Sequence, residues 1–239
     1  MTNVIFSSIK ETFKQKEMKK QKGYSLKKRE DYEIILGKAF DDAFNQYARR
    51  NNKLYANNKQ ELMKPVIELL FRYFNEECVK FNDCYNSSIE EAMKILDNYS
   101  YGIAQKFVNM SFKYLYCFDD ADEFIGGFEE CHMPLDKYTL NWVKTLGNKD
   151  INEAMKKINF AWTNIDKDLY NKIQEFIENT LKNDYKYKVI STNFKMDITL
   201  PKNKLQAEFI IWNQEKINEI TMKIKKLNKS YEELCIKLE

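Results

Sequence analysis

Six glycines and three prolines in 239 residues leave this chain few places to turn. Glycine and proline are the main interruptions of regular backbone. Their scarcity, beside abundant Lys, Glu, Leu, Ile and Met, favours long helices over short, frequently reversed strands. Aromatic residues make up 14% of the chain, which supplies a sizeable core. Charged residues, at 31%, are interleaved with apolar ones, a pattern opposed to general disorder. The expected fold is all-α: one compact multi-helix domain over residues 1–239, with residues 1–22 as a basic arm or peripheral helix.

Periodicity places the elements. Ser25 can cap a helix whose apolar residues are Ile34, Ile35, Phe40, Phe44 and Tyr47. Pro65 suits a first helical turn, followed by the stripe Val66, Leu69, Leu70, Tyr73 and Phe74. Ser87 with Glu90, or Ser88 with Glu91, forms a capping box that predicts a helix start there and an end near Leu96-Asp97. Asn98 to Gly102 reads as a turn, and Ile103 to Phe118 as a buried helix. Further helices follow Asp136 and Asn148, and another spans Asp166 to Leu181. Between 185 and 200 the period changes to two, with Tyr185, Tyr187, Val189 and then Phe194, Met196, Ile198 alternating with polar residues. That predicts one small β-hairpin turning at Ser191-Thr192-Asn193. A long helix over 202–239 carries Ile217, Ile220, Ile224, Leu227, Tyr231, Leu234 and Leu238 at alternating steps of three and four. Such a heptad stripe can form the seam of a homodimer or lie against the protein's own helices.

Charge is unevenly distributed. Residues 1–64 hold 15 Lys and Arg against 8 Asp and Glu, whereas Phe118 to Asp136 holds seven acids and no Lys or Arg. A basic N-terminal third suits a polyanion such as nucleic acid, or simply a solvated face. The five cysteines form no CxxC pair and are odd in number, so a disulfide framework is not expected. No apolar run approaches the roughly 18 residues that span a bilayer, and the N-terminus lacks the order of a signal peptide. A soluble, cytoplasmic protein without a membrane partner is the expectation, with no cofactor implied.

The segment Ile89 to Gly147 carries the chemistry. It reads as helix, turn, helix, acidic loop, then Cys131-His132-Met133-Pro134-Leu135-Asp136 opening another helix. Gly102-Ile103-Ala104-Gln105-Lys106 followed by an apolar helix, and Pro134-Leu135-Asp136 ahead of a further helix closed by Leu146-Gly147, resemble the two signature segments of the helix-hairpin-helix DNA glycosylases. The chain has Ala104 where that pattern has a second glycine, and an acidic insertion between Asp119 and Glu130 within the 30 residues separating Lys106 from Asp136. The resemblance implies an activity: excision of a damaged or modified base from double-stranded DNA, with or without strand cleavage, in repair or anti-phage defence. It implies Lys106 as nucleophile, Asp136 as the carboxylate that stabilises developing positive charge on the sugar, and Tyr101, Gly102, Ile103 and Ala104 as amides for the DNA backbone. The chemistry is consistent with these types. A lysine amine forms a Schiff base when desolvated, and helix N-terminal amides bind phosphate without reading sequence.

Each residue also has a plainer explanation. Lys106 fits an amphipathic surface helix, and Asp136 fits a helix N-cap. Lys113, seven residues beyond Lys106, shares its face and is an alternative nucleophile; Asn109 lies on that face too. His132, the chain's one histidine, could orient Asp136 or be structural. Tyr99, Tyr101 and Trp142 could stack on a base or pack in the core. His132 with Asp119, Asp120, Asp122, Glu129 and Glu130 matches no metal-ligand spacing, so no metal is implied. Gly126-Gly127 suggests a mobile acidic lid. The rival to an enzyme is a non-enzymatic helical interaction protein, a phage- or plasmid-type inhibitor whose acidic loop mimics nucleic acid.

Overall fold

The computed structural model describes residues 2–17, 23–51, 59–77, 79–94, 101–190 and 195–238. The predicted turns at 98–100 and 191–193, together with Tyr99, lie outside these residues. The architecture is all-α, with helices α1 (Thr2–Glu17), α2 (Arg29–Asn51), α3 (Lys59–Asn75), α4 (Phe81–Lys94), α5 (Tyr101–Leu115), α6 (Ile125–Glu129), α7 (Lys137–Thr145), α8 (Lys149–Lys157), α9 (Lys167–Lys182) and α10 (Lys204–Leu238). Strands β1 (Lys186–Ile190) and β2 (Lys195–Thr199) form the expected antiparallel hairpin, with Lys188 opposite Asp197.

Helix α5 is the axis of the molecule. Every residue from Gly102 to Leu115 is buried, and α2, α4 and α9 pack around it. Burial on all sides is what its apolar run demands. Residues 2–17 form a true helix rather than an arm. Phe6 and Phe13 of α1 meet Phe209 of α10 edge-on, at ring-centroid distances of 5.9 and 5.2 Å.

Several boundaries differ from the sequence expectation. Helix α3 begins at Lys59, so Pro65 stands inside it. Pro65 is exposed, and water can satisfy the carbonyl that its missing N–H leaves free. Helix α4 begins at Phe81, with Asp83 in its first turn where the helix dipole favours an acid, so Ser87 and Ser88 are interior residues and cap nothing.

The acidic segment is not an open loop. It folds as a 3₁₀ turn, Ala121–Phe124, running into α6, with Phe128 fully buried 4.6 Å from the Phe74 ring centroid. Three of its carboxylates are engaged by the N-terminal region. Asp119 accepts from the Gly23 amide at 2.7 Å and pairs with Lys14, while Asp120 accepts from Ser25 Oγ at 2.6 Å and the Leu26 amide at 2.9 Å. Lys27 reaches Glu123 at 2.5 Å. Of the Gly126-Gly127 pair, Gly127 sits within α6 against the Phe74 ring, and its carbonyl accepts from Tyr73 Oη at 2.7 Å, while Gly126 faces open space.

Candidate active site

Asp136 is where its sequence context puts it. It is the N-cap of α7, accepting from the amides of Tyr138 (2.8 Å) and Thr139 (3.1 Å), while Thr139 Oγ1 accepts from the Asp136 amide at 2.8 Å. This reciprocal box fixes the carboxylate and satisfies helix-end donors. Asp136 is only 8% exposed.

Two glutamines hold the extended strand of chain that leads to it. Gln174 of α9 accepts from the Met133 amide (3.1 Å) and donates to the Met133 carbonyl (2.6 Å). Gln105 of α5 does the same for Leu135, accepting from its amide at 3.2 Å and donating to its carbonyl at 2.9 Å. Since Gln105 grips Leu135, the next residue on each element follows. Lys106 and Asp136 line the same cleft, of about 570 Å³.

Lys106 is 8% exposed, and its Nζ lies 4.4 Å from the centre of the Trp162 ring. It has no hydrogen-bond or ion-pair partner among the described residues. Trp162 arrives there through an unusual backbone path. After α8, Asn159 and Phe160 both take left-handed conformations, at φ 54° and 52°. This is costly for a bulky residue such as Phe160 and characteristic of backbone held for a purpose. The reversal presses the Trp162 carbonyl onto Gly102, where a Cβ would lie 2.1 Å from that oxygen. The cleft is completed by Phe160, Tyr138, Trp212 and the Asp42–Tyr114 pair, whose hydroxyl-to-carboxylate bond is 2.6 Å. Five lysines line it, Lys16, Lys106, Lys113, Lys137 and Lys216, against two aspartates, so its field favours an anion.

The other sequence candidates separate. Lys113 also lines the cleft but is fully engaged: Nζ lies 2.7 Å from Glu208 Oε2 and donates to Oε1 at 2.9 Å, with both side chains almost wholly buried. Asn109 faces away, donating to Gln105 Oε1 and Tyr170 Oη inside the core. His132 does not orient Asp136. Its Nδ1 meets Tyr170 Oη at 2.9 Å, the ring packs edge-on against Phe81 and Tyr85, and burial pushes its pKa down to about 3. Trp142 is a core residue, and Tyr101 packs against Tyr170. Gly102, Ile103 and Ala104 are buried, and Gly102 lies directly against the Trp162–Thr163 backbone.

Burial pushes the Cys84 and Cys117 thiols up to about 12 and raises Cys131 as well, so none of the three offers a thiolate at neutral pH. Among the described residues no three His, Cys, Asp or Glu side chains gather as a metal site would need. No helix there is long and apolar enough to cross a membrane.

Trp162, Phe160, Trp212, Asp42 and Glu208 were not singled out from the sequence. Glu208 carried a signal, as an acid set among Ala207, Phe209, Ile210 and Ile211. The others are ordinary aromatic and acidic residues whose role depends on distant elements meeting.

No family model, curated protein or solved structure matches the chain.

Proposed function

We propose that the chain is a DNA glycosylase with lyase capacity, acting on a damaged or modified base in duplex DNA. One observation carries this reading: Lys106 and Asp136 line a single cleft, the lysine amine without a carboxylate partner and the carboxylate fixed by two amides. The aromatic walls offer faces on which a base flipped from the duplex can stack. The lysines supply charge for the flanking phosphates. In the proposed reaction the Lys106 amine attacks C1′ of the deoxyribose. The C1′–N bond breaks, and its electron pair and a proton go to the departing base. Asp136 stabilises the positive charge on the sugar. The proton given to the base is the one the attacking amine loses. The C1′–O4′ bond then opens as the amine lone pair forms the C1′–N double bond and O4′ takes a proton from water. This leaves an iminium between Lys106 and the sugar that borohydride reduces to a stable amine.

A second reading has its own support. Ile220, Ile224 and Leu227 of α10 are 49, 52 and 69% exposed, so this part of the heptad stripe does not lie against the protein's own helices. Exposed apolar stripes of this kind mark contact surfaces, and a homodimer seam is the partner proposed here. Such a seam is compatible with an enzyme and is also what a purely interacting protein would need.

The test is incubation of the full chain with duplexes carrying single damaged or phage-type modified bases, with borohydride and alkali arms. A covalent adduct lost in Lys106→Ala supports the lyase reading. Alkali-labile sites without an adduct, lost in Asp136→Asn, would restrict the chain to glycosylase chemistry. Neither signal on any duplex, with no DNA binding at low salt, would overturn the enzyme and leave the interaction protein.

A further inference from the structure

A buried ammonium group is costly unless something balances its charge. The lysines of the cleft meet this need in different ways. Lys113 pairs with Glu208, and Lys137 pairs with Glu219. Lys106 has neither a hydrogen-bond nor an ion-pair partner among the described residues. What faces its Nζ is the Trp162 ring, 4.4 Å from nitrogen to ring centre. An aromatic face attracts a cation through its quadrupole, most strongly for tryptophan and most where water is excluded. Both side chains meet that condition, for Lys106 is 8% and Trp162 9% exposed.

The contact is built into the backbone. Gly102 stands one turn before Lys106 on α5, and a helical side chain leans back over the turn that precedes it. The missing side chain at Gly102 lets the Trp162 carbonyl approach that same turn. The left-handed pair Asn159 and Phe160 brings the chain there. Hydrogen bonds from the Phe160 amide to the Met155 carbonyl (2.8 Å) and from the Asn164 amide to the Ala161 carbonyl (2.9 Å) hold its path. The Lys106 side chain and the Trp162 ring thus meet at one turn of α5. The other charged or titratable groups of the cleft are Asp136, Lys137 and Tyr138 from α7 and its cap, Lys113 and Tyr114 on α5, Asp42 on α2, Lys16 on α1 and Lys216 on α10.

We propose that Trp162 is the positioning residue of Lys106: its ring face stands in for a counter-ion, holding the amine in the cleft it shares with Asp136 and stabilising its charged form. Such a hold is weaker than a buried ion pair, so the amine can leave it to react. This rests on the reading of Lys106 as a nucleophile, yet it concerns the amine itself and can be measured without any DNA substrate.

The experiment replaces tryptophan throughout the full chain with its mono-, di- and trifluorinated forms. Fluorine withdraws electron density from the ring face and barely alters its shape. Each chain is briefly acylated with acetic anhydride at neutral pH, and peptide mass spectrometry compares Lys106 with the exposed Lys188. Each fluorine weakens the support of the ammonium form, so Lys106 labelling should rise in steps, by about three- to tenfold over the series. The same series in Trp162→Phe should leave labelling flat, because the Trp212 ring lies over Lys113 and Lys216 instead and Trp142 is a core residue. If Trp162→Phe does not fold, Trp212→Phe carries the control, and the graded rise should survive it. Labelling that ignores fluorine in the folded chain is what a purely structural Trp162 would give, and it overturns the proposal. So does a graded rise that persists in Trp162→Phe or vanishes in Trp212→Phe. A graded rise without any borohydride adduct on DNA would uphold the ring contact and discard the glycosylase. An adduct on Lys106 without the graded rise would do the reverse.

Discussion

Gln105 holds both backbone groups of Leu135, at 3.2 Å for the amide and 2.9 Å for the carbonyl. This single side chain couples the central helix to the strand of chain that ends in Asp136. Gln105→Ala would leave a buried N–H and a buried C=O without partners, each costing about 1–3 kcal/mol where water cannot enter. The expected outcome is a stability loss of about 2–6 kcal/mol for the two groups together, read by urea unfolding. Borohydride trapping should fall further than the unfolded fraction explains, because Asp136 loses its register against Lys106.

Gly102 is required by contact, since its own backbone conformation is ordinary helix. A methyl group there would meet the Trp162 carbonyl at 2.1 Å, and one of the two elements must move. Overpacking of this kind costs about 1–3 kcal/mol. Gly102→Ala should therefore lower the thermal midpoint and also displace Trp162. Loss of tryptophan fluorescence quenching or a shifted emission maximum in the folded variant would check the second effect.

His132 gives the fold a pH dependence. Burial holds its folded pKa near 3, below the roughly 6.5 of an unfolded histidine. The unfolded chain therefore takes up a proton that the folded chain refuses. The stability associated with neutral His132 is complete above about pH 6.5 and is lost progressively as pH falls towards 3, at up to ~1.4 kcal/mol per pH unit. His132→Gln should flatten the curve of unfolding free energy between pH 6 and 4, measured by denaturant titration at each pH.

The α10 stripe predicts an association equilibrium. Leu227 is 69% exposed, so a charge there should not disturb the fold. In the parent chain, sedimentation velocity should show a concentration-dependent dimer. Leu227→Asp should remain monomeric, with an unchanged circular dichroism spectrum. A parent that is monomeric at all concentrations would remove the homodimer.

Local signals were legible in the sequence, and meetings between distant elements were not. The β-hairpin followed from strict alternation at Tyr187, Val189, Met196 and Ile198, and the α7 start from Asp136. The α4 start was misplaced because a Ser–Glu spacing mimics a capping box even inside a helix. The acidic segment looked solvated because its partners, Gly23, Ser25, Leu26 and Lys14, lie about a hundred residues earlier. Lys106 and Asp136 were nameable from local pattern, but their cleft is built by Trp162 and Phe160. Those side chains reach it only through two left-handed residues and a glycine contact. Lys113 and Lys106 looked equivalent by spacing, and only the position of Glu208 on α10 tells them apart.

The most direct test of the central claim is to map the borohydride-trapped linkage to a residue. The parent, Lys106→Ala and Asp136→Asn chains would be incubated with modified-base duplexes, reduced, digested and sequenced by mass spectrometry. Asparagine caps helices about as well as aspartate, so Asp136→Asn isolates the loss of charge from any loss of fold. The account predicts a sugar adduct on the peptide containing Lys106 in the parent. That adduct should be absent in Lys106→Ala and strongly reduced in folded Asp136→Asn. An adduct on Lys113 or another lysine, or none on any duplex, would contradict it.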